Sequence, residues 1–181
     1  EFKKPRKNGK RAIKLDDNDE LVGTLLTDGS ADLMVVSNAG KAVFFNEVDA
    51  RSMGRDTRGV KGITLDGDQK VISLLKPSKE SEILTVSENG YGKRSKVKDF
   101  RKTKRGAKGV IAMQTSERNG GLISAKEVSE MDEVILITNK GMLVRTKVSE
   151  ISLIGRNTQG VRVIKLKEDE ALNGLALAID S

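Results

Sequence analysis

Three dipeptides, Gly59-Val60, Gly109-Val110 and Gly160-Val161, stand 50 and 51 residues apart, and Gly9 lies 50 residues before the first. The segments that start at these glycines read GKRAIKL, GVKGITL, GVIAMQT and GVRVIKL. A second series keeps step: DLMVVSNAG, EILTVSENG and EVILITNKG end at Gly40, Gly90 and Gly141. A third, ELVGTLL, KVISLLK and GLISAKE, aligns Val22 with Ile72 and Leu122. A repeat this short is a supersecondary unit that can bury its apolar face only against a neighbour. The period therefore restricts the fold to an array of like units.

The content of each unit says which array. Short β-branched and aliphatic runs ending in Asn-Gly or a similar turn read as strand, turn, strand. No segment carries a long helical period. About four strands in about 50 residues is the signature of a propeller blade. The expected fold is all-β and propeller-like, with residues 1–181 forming part of one incomplete domain. Its units run approximately 9–58, 59–108, 109–159 and a partial 160–181. Three blades and part of a fourth are too few to close a usual ring, so the chain reads as part of a larger propeller-like domain. With only 3% aromatic residues (Phe2, Phe44, Phe45, Tyr91 and Phe100, with no Trp), the contacts between blades must be made by Val, Ile and Leu.

GRNTQGV, residues 155–161, resembles a phosphate-binding P-loop in which Val161 stands where the lysine belongs. Its copies GRDTRGV and KRGAKGV mark it as a loop between blades, with a strand and not a helix after its second glycine. The chain has no Cys and no His. Disulfides, thiol nucleophiles, imidazole bases and imidazole metal ligands cannot be built from it. No catalytic carboxylate pair stands out, so no catalytic residue and no bound cofactor or metal is expected in this chain. The acidic turns DDNDE, DGDQ and KEDE read as turn and solubility residues without the regular spacing of a calcium loop. No apolar run approaches the ~20 residues that span a bilayer, and no signal peptide is evident, so an intracellular protein is expected.

Net charge is +7, and its distribution is uneven. Lys93, Arg94, Lys96, Lys98, Arg101, Lys102, Lys104, Arg105 and Lys108 lie within 16 residues against Asp99 alone. The rest of the chain has 24 basic and 25 acidic residues. A solvated charge run is the common meaning of such a block, but strand-like segments flank this one, which favours a surface for a polyanion. Two columns of the repeat add to it. Arg94 aligns with Arg145, and Lys96 with Lys147; within each copy the two basic residues stand two apart on a strand and so on one face. Arg55, Arg105 and Arg156 align in the inter-blade loop, with Pro5 in the earliest copy, and Arg58 aligns with Lys108. Basic positions repeated around a rim would make a curved positive track. The shortage of aromatic rings argues against base stacking and for a duplex held by its phosphates. The competing reading is that these side chains keep an exposed sheet soluble and guard its edges.

The loops G-R-[DN]-T-x-G-V, together with SENGYGKR and VRTKVSEISLIGRNTQGV, resemble the C-terminal domain of the A subunit of bacterial DNA gyrase over essentially the whole chain. The equivalent domain of the topoisomerase IV A subunit is the near relative. The resemblance implies a β-pinwheel, in which blades exchange a strand with their neighbours and a basic rim wraps duplex DNA. It implies a bacterial, cytoplasmic, chromosome-associated protein. Its partners would be two B subunits and a second A subunit, in an ATP-dependent type II topoisomerase that introduces negative supercoils. ATP and Mg would be bound elsewhere in that assembly. The catalytic tyrosine would also lie elsewhere in the same polypeptide, and Tyr91 sits in a pinwheel turn. The family's basic-glycine box, a Q-R-R-G-G-K-G type run, has no match here, only the echoes KNGKRA and KRGAKG. Weaker wrapping than by a complete domain is therefore implied. A non-enzymatic propeller whose basic face meets an acidic protein partner is the alternative function.

Overall fold

The computed structural model describes residues 7–178. Phe2, Pro5 and the last three residues of the fourth unit lie outside that range. Eleven strands form, with no α-helix among the described residues. They are β1 Asp32–Ser37, β2 Lys41–Asn46, β3 Val71–Leu75, β4 Glu82–Ser87, β5 Tyr91–Lys96, β6 Val110–Ile111, β7 Leu122–Val128, β8 Glu133–Thr138, β9 Leu143–Lys147, β10 Val161–Arg162 and β11 Leu172–Leu177. The hairpins β1–β2, β4–β5 and β8–β9 are the three NAG, ENG and NKG turns of the repeat. A 3-10 turn follows each hairpin, at Glu47–Asp49, Val97–Asp99 and Val148–Glu150.

The sheets cut across the repeat units. Their strand orders are β3-β1-β2-β6, β10-β5-β4-β7 and β11-β8-β9. Each hairpin thus takes a long strand from the following unit, and the first two also take a two-residue strand from the unit after that. This exchange is the β-pinwheel arrangement. It is fastened by the same backbone bonds in successive sheets. Ala112 N–H donates to Gly40 O at 2.8 Å, and Val163 N–H to Gly90 O at 2.9 Å. Leu122 N–H donates to Asn38 O, and Leu172 N–H to Glu88 O, both at 2.8 Å.

Two details of the repeat are corrected by the pairing. Leu122 pairs with Ser87 as Val71 pairs with Ser37, so Leu122 is the counterpart of Val71 and not of Ile72. The turn SERNGG is one residue longer than DGDQK, and in a strand a one-residue shift moves a side chain to the other face. ELVGTLL also forms no strand, and Leu21, Val22, Leu25 and Leu26 are exposed. In the later units this segment pairs with the preceding hairpin, and among the described residues no hairpin precedes ELVGTLL.

The core lies between stacked sheets. Met34, Val36, Phe44, Ile83, Tyr91, Phe100, Met113 and Ala125 fill the space between the first and second sheets. Leu84, Val86, Val134, Leu136, Ile151, Leu172 and Leu175 fill the space between the second and third. The middle sheet is therefore covered on both faces, and the first five residues of β5 are all buried. The equivalent β9 lies on the outer sheet, where exposed and half-buried residues alternate.

One glycine of the GRNTQGV loop is fixed by the fold and the other is not. Gly160 has φ +76°, and a Cβ there would lie 2.8 Å from Gly92 O and 2.9 Å from Met113 Cε. Gly155 has an ordinary backbone and open space around it.

Candidate nucleic-acid interface

The basic residues singled out by sequence fall into three groups. The first is buried. Lys93 is 0% exposed and Arg94 5%. Lys93 Nζ donates to Ser95 Oγ at 2.5 Å. Burial, then the Arg156 charge, lowers its pKa from 10.5 to about 8. Arg94 Nε donates to Ile151 O at 2.7 Å, and its Nη1 meets Glu82 Oε2 at 2.7 Å. A buried guanidinium with a carboxylate and a carbonyl is a satisfied structural group. The expectation that Lys93 and Arg94 lie on an accessible face is corrected. The two-residue spacing of Arg94 and Lys96 reads as one basic strand face, but sheets pack on both sides of β5.

The second group ties units together. Arg105 donates from Nη1 to Lys61 O at 2.5 Å and from Nε to Asp49 O at 3.1 Å. Arg156 does the same one unit later, to Ile111 O at 2.8 Å and Asp99 O at 3.0 Å. Arg55 Nη1 donates to Arg11 O at 2.9 Å. The arginine column is thus a set of braces, each reaching back to the start of its own unit. The loop arginine repeats because the carbonyls it meets repeat. Arg58 and Lys102 are exposed but paired, with Asp16 at 2.8 Å and Asp32 at 2.6 Å. Arg145 is paired with Glu133, the counterpart of Glu82, and is 54% exposed where Arg94 is buried.

The third group is the surface. Lys96, Lys98, Arg101, Lys104 and Lys108 are exposed and make no ion pair or side-chain hydrogen bond among the described residues. They follow one another from the end of β5 through the 3-10 turn and loop to β6. Lys147 holds the position of Lys96 on the third sheet and is also exposed. Five uncompensated cations on one connecting segment form a local positive field of the kind that phosphate chains neutralise.

Sequence reasoning missed a second positive place, at the turn end of β5. Arg118 Nε and Arg162 Nη2 both donate to the Tyr91 hydroxyl, at 3.3 and 3.0 Å. Both guanidinium carbons lie over the Tyr91 ring, 4.9 and 5.5 Å from its centroid. The hydrogen bonds from Arg118, then Arg162, hold the phenol below its usual pKa. The three residues come from three different units, so no local sequence pattern joins them.

Known proteins carry the same repeat. The profile of the family described as DNA gyrase C-terminal domain, beta-propeller, matches residues 1–28, 31–78, 81–129 and 132–178. The DNA gyrase A subunit of Salmonella typhimurium is 50% identical over 175 residues, covering 97% of this chain and 20% of that protein. The DNA gyrase A subunit of Pseudomonas aeruginosa is also 50% identical, covering 97% of this chain and 19% of its own length. The chain thus spans about a fifth of the curated relatives it matches. A solved DNA gyrase A C-terminal domain superposes with a TM-score of 0.86 at 30% identity, over 96% of this chain and 59% of that one. The C-terminal domain of DNA topoisomerase IV gives 0.90 at 26% identity, over 97% and 55%.

Proposed function

The chain belongs to the DNA gyrase C-terminal domain family, and from that premise we propose that it binds and bends duplex DNA along the segment from Lys96 to Lys108. In the full-length protein it would serve the A subunit of an ATP-dependent type II topoisomerase in the bacterial cytoplasm, beside two B subunits and a second A subunit. The chemistry of ATP, Mg and strand cleavage would lie outside this chain. The observation that carries the reading is the set Lys96, Lys98, Arg101, Lys104 and Lys108, exposed and with no carboxylate partner among the described residues. Cations without carboxylate partners can replace the counterions along a phosphate chain, and the release of those counterions drives binding. Such contacts carry no sequence information, so affinity depends on salt and little on base order.

The test is binding of a duplex of about 40 base pairs at several salt concentrations. With all five residues changed to Ala, the slope of log K against log salt should flatten by about 4 to 5, at ~0.9 per lost phosphate contact. This variant leaves Arg94, Arg105 and Arg156 in place because those side chains hold the fold. An unchanged affinity and slope in the five-residue variant would refute this surface. A chain that forms a stoichiometric complex with an acidic protein but not with duplex would support the interaction-module alternative.

A further inference from the structure

The arrangement at Tyr91 raises a physical problem that the fold alone does not solve. Two guanidinium groups converge on one phenol oxygen, and neither has a carboxylate partner among the described residues. Like charges held this close repel, and a neutral hydroxyl accepting two hydrogen bonds does not cancel them. Each guanidinium has five N–H donors, and the Tyr91 hydroxyl accepts from only one nitrogen of each. Arg118 and Arg162 are both exposed, so the remaining donors face solvent.

The repeat shows that this is particular to the middle sheet. The column of Arg118 holds Asn18, Asp68 and Asp169 in the other units. The column of Arg162 holds Arg11, Lys61 and Ile111, and that of Tyr91 holds Lys41 and Met142. The first sheet therefore places Lys41, Asp68 and Ile111 where the second places Tyr91, Arg118 and Arg162. A base stands in place of one acid and of one apolar residue, at a single junction of three units. The turn that carries Arg118 is itself well held. Asn119 is fully buried, its side chain accepting from Ser116 N–H at 2.8 Å and donating to Gln114 O at 2.7 Å. Asn89 donates to Glu117 O and Arg118 O at 3.1 and 3.2 Å.

We propose that Arg118 and Arg162, set by Tyr91, form a binding site for one phosphate group, filled in the complex by a phosphodiester of duplex DNA. Two planar forks on a common anchor match the oxygens of a tetrahedral oxyanion. The ring fixes both forks through its face and its hydroxyl, so little side-chain freedom remains to be lost on binding. The site lies at the opposite end of β5 from Lys96, a strand of six residues or roughly 17 Å away. A duplex that touches both would cross the sheet along this strand. The assignment of the ligand as DNA rests on the function proposed above, whereas the phosphate site does not.

Tyr91 makes the test direct, because the chain has one Tyr and no Trp. Near-ultraviolet phenolate absorbance then reports the ionisation of this residue alone. In the intact chain, inorganic phosphate should shift the Tyr91 titration upward, because an anion beside the phenol opposes loss of its proton. Sodium chloride at equal ionic strength should not. The variant Arg118→Asp with Arg162→Ile uses residues that the first sheet already carries at these positions, so the fold should tolerate them. It should lose the phosphate response and flatten the duplex salt slope by about 1. A Tyr91 titration equally indifferent to phosphate and chloride overturns the site even if duplex binds. Duplex binding by the double variant with the wild-type slope overturns its role in DNA contact. A phosphate response without any duplex binding sustains the site and refutes the DNA function.

Discussion

Replacing Lys93 by Met should stabilise this protein near neutral pH, although it removes a buried hydrogen bond. Lys93 is fully buried on β5 and among the described residues has one hydrogen-bond acceptor, Ser95 Oγ at 2.5 Å. Burial, followed by the Arg156 charge, lowers its pKa from 10.5 to about 8, while Asp99 acts in the opposite sense. A shift of that size corresponds to roughly 3 kcal/mol at ~1.4 kcal/mol per unit. The sign follows from proton counting. Below pH 8 both states are protonated and the folded state bears the whole cost of the buried charge. Between 8 and 10.5 the unfolded chain holds a proton that the folded one has released, so stability rises with pH. Met keeps the length of the side chain and removes the charge. The lost hydrogen bond is worth about 1 kcal/mol, and Ser95 Oγ stays satisfied through Ile154 O at 2.9 Å. The net gain is then about 2 kcal/mol at pH 7, or ~4–8 °C in Tm for a chain of this size. Urea unfolding of both proteins at pH 7 and pH 10.5 measures it. The advantage of the variant should shrink through the alkaline range and vanish or reverse near 10.5. A variant no more stable than wild type at pH 7, with a pH-independent difference, would show that Lys93 is not held as a costly buried ammonium.

Further substitutions separate packing from surface. Gly160→Ala forces a left-handed backbone and a contact with Gly92 O, and should cost about 1–3 kcal/mol by thermal unfolding. Gly155→Ala in the same loop should change stability by less than ~0.5 kcal/mol. Arg94→Ala leaves Glu82 unpaired inside the stack and should destabilise by about 3–5 kcal/mol. Arg145→Ala, at the matching position of the outer sheet, should cost no more than about 1 kcal/mol. If the two arginine variants lose equal stability in urea, stacking of the middle sheet is not what distinguishes them.

The sequence by itself determined the period, the three hairpins and the all-β, propeller-like class, because strands and their turns are written locally and recur every 50 or 51 residues, whereas the strand-exchanged pinwheel came from the family resemblance. It also located the excess charge, since net charge along a chain does not depend on folding. Side-chain exposure within that block was decided only by tertiary structure. Lys93 and Arg94 carry the same residue types as Lys98 and Arg101, yet the first two are enclosed because sheets pack against both faces of the middle sheet that holds β5. The loop arginines looked like phosphate ligands in alignment, and the structure commits Arg105 and Arg156 to carbonyls 44 to 57 residues away. The Tyr91 cluster was invisible for the same reason. Arg118 and Arg162 lie 27 and 71 residues from the tyrosine, and the three meet because each hairpin borrows strands and turns from the next two units. A repeat fixes which positions are equivalent, but only stacking fixes which of those equivalent positions face a neighbour and which face water.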